Sequence, residues 1–191
     1  MYKLCKTEQS AKRQRELEQV LLRMMNSTLY EDITVMNFCE NAGIPRKAFY
    51  RYFSSKDGAL HALLDHTLLE LESFPAQSKA GAAGSLKQEL IVFFRFWQAQ
   101  KPLLDALQRS GISGILVTRS IEYAMSGNGI AQLFPLQENM GSRQFDTIFG
   151  VSGFMSMVLS WHRTGYQLPA EQMAQIGTNL LTKPLLQAQG T

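Results

Sequence analysis

Gly43, set between two short stretches of helical periodicity, limits what this chain can fold into more than any other feature. Upstream, Thr34 is a natural N-cap, and Val35, Phe38, Cys39 and Ala42 fall on one face of a helix that Gly43 stops. Downstream, a second short helix fits Pro45–Phe53, with proline in the first turn, where its missing N–H costs nothing. Two short helices meeting steeply across so tight a turn need a small residue at the approach, and Cys39 supplies it. The turn needs a residue tolerant of positive φ, which is Gly43. Ile44 then plugs the core behind the turn, and Phe49 and Phe53 form an inward ridge at i and i+4.

Helical geometry turns the rest of that second helix outward. With Phe49 and Phe53 buried, Lys47, Tyr50 and Arg51 project away from the core, with Arg46 on the flank. A helix that enters a DNA major groove presents its N-terminal residues to base edges, and arginine or lysine on guanine is the commonest such contact. Arg46 and Lys47 stand at that end. Tyrosine hydroxyls such as those of Tyr50 and Tyr52 suit phosphate oxygens. Lys56 falls in the first turn of the next helix, whose free N–H groups also favour a phosphate. The bland alternative is a solvated cationic face beside surface tyrosines.

The remainder predicts an all-α fold. A first helix begins near Thr7, and its apolar stripe runs through Leu17, Val20, Leu21, Met24 and Met25. A fourth helix, capped by Ser54 with Asp57 as its capping-box partner, carries Leu60, Leu63, Leu64, Leu68 and Leu71 to about Ser73. Residues 75–85 read as a flexible connection. Helices follow at Leu86–Gln100, Leu103–Leu107 and Ile115–Met125. Ser126–Gly129 is a loop and 135–144 is ambiguous. Two long final helices then cover about Phe145–Thr164 and Pro169–Leu186. No alternating run demands a strand, and no internal repeat is present. With 45% hydrophobic residues in 191, the chain can bury a core.

Charge placement favours an anionic partner at one end. Residues 1–60 hold ten Lys and Arg against seven acids, whereas the remaining residues hold nine of each sign. No apolar run approaches the roughly 18–20 residues of a membrane span, and the polar start lacks a signal peptide, so a cytoplasmic protein without membrane association is expected. Cys5 and Cys39 are read as reduced thiols, with Cys39 a small buried residue. His61 and His66 lie five apart, the wrong spacing for two ligands on one helical face, so no metal site is expected. No nucleophile elbow, zinc-protease motif or phosphate-binding loop occurs, so an enzyme is not expected, and neither is a cofactor.

The run Thr34…Ala42-Gly43-Ile44, followed by Phe49-Tyr50-x-Tyr52-Phe53-x-x-Lys56-Asp57, resembles the helix-turn-helix of the TetR family of bacterial transcription regulators. The strong match covers about residues 8–65, and the order of the remaining helices is similar in architecture. The resemblance implies contacts to bases or backbone from Arg46, Lys47 and Ala48, and to phosphates from Thr34, Tyr50, Tyr52 and Lys56. It implies a helix-turn-helix domain over 1–65 and an effector-binding and dimerisation domain over 66–191. Three positions depart from the pattern. Leu29 replaces a glycine between the first two helices, Pro45 a small polar cap, and Phe38-Cys39 an aliphatic-alanine pair.

A two-fold protein matches a two-fold operator, so a homodimer is expected. Phe154, Met157, Val158 and Trp161 on one final helix, with Met173, Ile176 and Leu180 on the next, are the candidate dimer face. Gly150 and Gly153 would allow close approach, and two such helix pairs make the four-helix interface that the resemblance implies. Phe93, Phe96, Trp97, Leu104, Leu107, Ile115 and Met125 are either plain core or the lining of a cavity for a small-molecule effector of unknown identity. The resemblance favours the cavity, and with it a repressor whose ligand leaves the recognition helices wrongly spaced for a double-stranded operator. The alternative is a helical protein–protein adaptor without DNA binding, which leaves the Arg46–Lys56 pattern unexplained.

Overall fold

The computed structural model describes residues 2–3, 5–77, 85–126 and 140–182. The loop expected at 126–129 and the ambiguous 135–139 lie almost wholly outside these, as do most of the 75–85 connection and the end of the last predicted helix. Among the described residues there are nine α-helices and one short 3-10 helix: α1 (Glu8–Met25), the 3-10 turn (Tyr30–Asp32), α2 (Val35–Ala42), α3 (Arg46–Tyr52), α4 (Lys56–Gln77), α5 (Leu86–Ala99), α6 (Lys101–Arg109), α7 (Gly114–Met125), α8 (Met140–Arg163) and α9 (Ala170–Thr182). The all-α expectation holds. The chain divides into two compact units, residues 1–69 with 101–123, and 70–100 with 124–191. The first unit therefore contains α6 and most of α7 as well as the helix-turn-helix.

Local signals set the boundaries in the first unit. Thr7 caps α1 by accepting from the Ser10 amide, and Thr34 caps α2 by accepting from the Asn37 amide while Asn37 returns the bond. Gly43 ends α2 at φ 61°, ψ 37°, the left-handed conformation the turn requires. At α4 the sequence expectation needs correcting. Ser55, not Ser54, provides the cap, its hydroxyl accepting from the Gly58 amide at 3.1 Å. Asp57 instead accepts from the Tyr30 hydroxyl at 2.7 Å.

The core of this unit gathers Leu17, Leu21 and Met25 of α1 with Phe38, Phe49, Phe53, Leu60, Leu64 and Leu68, all essentially without solvent exposure. Inside it lies a buried carboxylate held by a histidine ring. Glu18 is only 1% exposed, and its carboxylate meets Nδ1 of His66 at 2.8 Å. The end of α6 ties back to the turn after α1: Arg109 donates to the Asn26 carbonyl, and the Ser110 hydroxyl accepts from the Tyr30 amide at 3.0 Å.

The second unit is aromatic. α5 packs closely on α9, and Phe93 and Phe94 meet Phe154 of α8 at ring separations of 6.0 and 6.3 Å. Trp161 stacks edge-on to Phe94 and donates to the Leu168 carbonyl at 2.8 Å. Gly165 and Tyr166, at φ 69° and 58°, turn α8 into α9. Gly177 gives the closest approach, since a Cβ there would lie 2.8 Å from Phe154 and 3.2 Å from Leu90.

Candidate nucleic-acid interface

α3 is held by aromatic anchors. Phe49 and Phe53 have no exposed surface, their rings lie 5.3 Å apart, and Phe38 of α2 stands edge-on to Phe49 at 5.1 Å. Burying these two rings at i and i+4 leaves one possible outward face. Arg46, Lys47, Tyr50 and Arg51 are all exposed on it, Tyr50 by 42%. Ala48 and Tyr52 are half-buried, as is Ile44, which plugs the turn less completely than its apolar character suggested. Among the described residues, Arg46, Lys47 and Arg51 make no hydrogen bond or ion pair, so three cations stand unneutralised on one seven-residue helix. Such a surface suits a polyanion, and the guanidinium fork and ammonium at its leading end suit base acceptors or phosphates.

The other predicted contact residues are placed differently. Thr34 is exposed, and its hydroxyl oxygen accepts at the cap of α2, which leaves its O–H proton free to donate outward. Lys56 is half-buried and spoken for. Its ammonium donates to the carbonyls of Tyr30 and Glu31 at 2.6 and 3.3 Å and lies 4.3 Å from the centre of the Tyr30 ring. In the free chain Lys56 thus closes the 3-10 turn that leads into α2. This turn also answers the departure at Leu29, which sits in extended conformation (φ −62°, ψ 142°) and needs no glycine. Pro45 serves as the N-cap of α3 in extended conformation with no side-chain hydrogen bond.

Sequence reasoning missed the segment before α1. The Lys3 amide donates to the Tyr52 carbonyl at 2.9 Å, and Tyr2 bridges antiparallel to Phe53. The Tyr2 hydroxyl donates to Asp65 at 2.9 Å, and Arg119 of α7 grips the same carboxylate at 2.5 to 2.9 Å. Burial and the neighbouring Asp65 push the Tyr2 phenol up to about 12, so it remains a donor. Residues 49 to 63 positions apart carry these bonds, a separation that no periodicity reports.

The predicted effector and dimer residues divide by burial. Phe93, Phe96 and Trp97 are buried in the second unit, and the Trp97 indole N–H has no hydrogen-bond partner among the described residues. Leu104 and Leu107 are buried in the first unit, where Ile115 lines a cleft of about 460 Å³ with Tyr30, Asp57, His61 and Ile112. Met125 is 43% exposed. Of the dimer candidates, Phe154, Val158, Trp161 and Met173 lie inside their own subunit's core, and Met157 is half-buried. The large apolar side chains that these helices leave exposed are Phe145, Phe149, Ile176, Leu180 and Leu181. Among the described residues no group of His, Cys, Asp and Glu could hold a metal, and no helix is long and apolar enough to cross a membrane.

In three dimensions the chain is similar to a TetR-family transcriptional regulator from Streptomyces coelicolor, at 20% identity and a TM-score of 0.56 over 88% of this chain and 78% of that one. It is also similar to the TetR family repressor AlkX from Dietzia sp. strain DQ12-45-1b, at 14% identity and a TM-score of 0.55 over 88% and 92%. The fold is that of the TetR-family regulators. The dihydroxyacetone kinase operon activator DhaS shares this TetR-like fold with the chain, at 15% identity and a TM-score of 0.54 over 88% and 93%. No protein-family model matches the sequence, and no curated protein is significantly similar to it.

Proposed function

We propose that this chain is a TetR-family transcription regulator, not an enzyme, that binds double-stranded DNA through α3. The observation that carries the reading is the exposed face of Arg46, Lys47, Tyr50 and Arg51, whose three cations have no ion pair among the described residues, on a helix pinned from behind by Phe49 and Phe53. Arg46 and Lys47 read bases, Ala48 lies against the groove wall, and Tyr50, Tyr52 and the Thr34 hydroxyl meet phosphates. DNA binding belongs to residues 1–65, and effector binding and dimerisation to residues 66–191, in a cytoplasmic protein. The helix-turn-helix supports the first assignment, and the exposed apolar residues of α8 and α9 support the second.

A partner copy would cover Phe145 and Phe149 on α8 and Ile176, Leu180 and Leu181 on α9. Phe145 and Phe149 are each about 70% exposed, unusual for large apolar side chains. Along α8 the same outward face continues through Gly153, Ser156 and Ser160, small residues that permit close helix packing. For the effector, Trp97 is the supporting observation. Its buried indole N–H lacks an acceptor among Phe93, Phe96 and its other described neighbours, and a ligand oxygen would satisfy it. Release of the operator on ligand binding follows as a population shift between dimer geometries.

Selection of bound sequences from a pool of random duplex DNA tests the reading. The expected result is a palindrome with half-sites about one helical turn apart, bound with an affinity that falls steeply as salt rises. Arg46→Ala should both weaken binding and blur preference at one base of each half-site, roughly 1–3 kcal/mol of discrimination. Absence of duplex binding at low ionic strength sinks the proposal.

A further inference from the structure

α3 is only seven residues long, and a helix this short depends on what its ends are tied to. Its last carbonyls need donors. The Phe49 carbonyl receives the Phe53 amide at 3.0 Å. The Tyr52 carbonyl receives the Lys3 amide at 2.9 Å, and the Tyr50 carbonyl receives the Lys3 ammonium at 3.1 Å, a positive charge at the negative end of the helix. Two of the carbonyls at the end of the recognition helix are therefore closed by one residue that precedes α1.

That residue is itself held on both sides. The Lys3 carbonyl accepts from the buried Gln14 amide group of α1 at 3.3 Å. Tyr2, its neighbour, lays its ring edge-on to His66 at 5.7 Å and donates its hydroxyl to Asp65 at 2.9 Å. Asp65 does not choose its orientation freely. The Arg119 guanidinium binds both of its oxygens, at 2.6 Å and 2.5 Å from a single nitrogen, and adds a third bond from Nε at 2.9 Å. Arg119 also pairs with Glu122 one turn further along α7.

We propose that Tyr2 is a positioning residue for the recognition helix, held in place by the Asp65–Arg119 pair, so that α7 is linked to the C-terminal end of α3 through three contacts in series: Arg119 to Asp65, Asp65 to Tyr2, and the Tyr2-Lys3 backbone to Tyr52 and Phe53. The inference rests on the DNA-binding reading for its functional meaning, but its structural content stands apart from it. Tyr2 touches no groove-facing residue of α3; it acts through Lys3 and Phe53. A displacement of α7 would shift Asp65, release Tyr2, and leave the last turn of α3 with two open carbonyls.

Amide hydrogen exchange on the full chain, with duplex affinity measured in parallel, tests this. Tyr2→Phe keeps the ring against His66 and removes only the donor to Asp65. It should speed exchange of the Phe53 amide about fivefold, the size of one lost hydrogen bond, and weaken operator affinity by a similar factor with the salt slope unchanged. Arg119→Gln should do the same from the other side of Asp65. The double variant should be little worse than either single, because both cut one chain of contacts. If Tyr2→Phe and Arg119→Gln leave exchange in α3 untouched, or if their effects simply add, the link is refuted. Altered salt dependence in Tyr2→Phe would also overturn it, by making Tyr2 part of the DNA contact. A wild-type chain that ignores duplexes while Tyr2→Phe still loosens α3 refutes the DNA-binding reading alone. Unchanged exchange in a chain that binds its operator refutes this inference alone.

Discussion

The Lys56 ammonium donates to the Tyr30 carbonyl at 2.6 Å and rests 4.3 Å from the centre of the same residue's ring. A lysine that suits a phosphate by position is thus occupied in closing the turn between α1 and α2. Lys56→Met is expected to destabilise the chain by about 1–2 kcal/mol, because it removes a charge-assisted bond and leaves carbonyls without a donor. The salt slope of duplex binding should stay unchanged. A slope lowered by about one charge, with stability intact, would put Lys56 on a phosphate instead.

Gly43 occupies the left-handed region with no neighbour within 4 Å of a built Cβ, so strain rather than crowding governs its replacement. Gly43→Ala should cost about 1–2 kcal/mol, and Gly43→Asn clearly less. Urea denaturation of the two variants checks the order; an alanine variant as stable as wild type contradicts it.

Gly177 presents the opposite case. A methyl there would press on Phe154 at 2.8 Å and Leu90 at 3.2 Å, between α5, α8 and α9. Gly177→Ala should lower stability by roughly 1–3 kcal/mol through overpacking, despite alanine's better helix propensity. Thermal melting decides, since a raised midpoint would mean the aromatic cluster yields easily.

Phe149→Glu combined with Ile176→Glu places charge on two exposed apolar positions, 71% and 40% accessible, without touching the core. Sedimentation at micromolar concentration should show a dimer for wild type and a folded monomer for the variant. Dimerisation that survives both substitutions would move the interface elsewhere.

His61 is held below its ordinary value of 6.5, first by burial and then by the Arg119 charge, with Asp65 and Asp57 opposing. Its folded form resists a proton that the unfolded chain accepts. Stability attached to this group is intact above about pH 6.5 and declines as the solution is acidified below it. His61→Gln should therefore flatten the loss of stability between about pH 7 and pH 5 in denaturant titrations. An identical decline in wild type and variant removes His61 as its source.

Much of the architecture was legible because it is written locally. The caps at Thr7 and Thr34, the stop at Gly43 and the Phe49–Phe53 ridge each depend on residues within a turn or two of one another. What escaped depends on partners far along the chain. The destination of Lys56 is a carbonyl 26 residues away, and that of Tyr2 a carboxylate 63 residues away. The dimer candidates divide between buried and exposed for another reason. α8 carries apolar residues around its whole circumference, so its sequence does not say which face is turned in. The inward face is Phe154, Val158 and Trp161, and the outward one begins with Phe145 and Phe149.

The tie between α6 and the turn after α1 bears on any attempt to dissect the molecule. Cut after residue 65, the helix-turn-helix portion would lose the Ser110 hydroxyl on the Tyr30 amide, the Arg109 contact to Asn26 and the Arg119 clamp on Asp65. The compact unit that holds it is built from two stretches of chain, residues 1–69 and 101–123, and a gene fragment made from the first alone would encode a protein missing part of its own foundation.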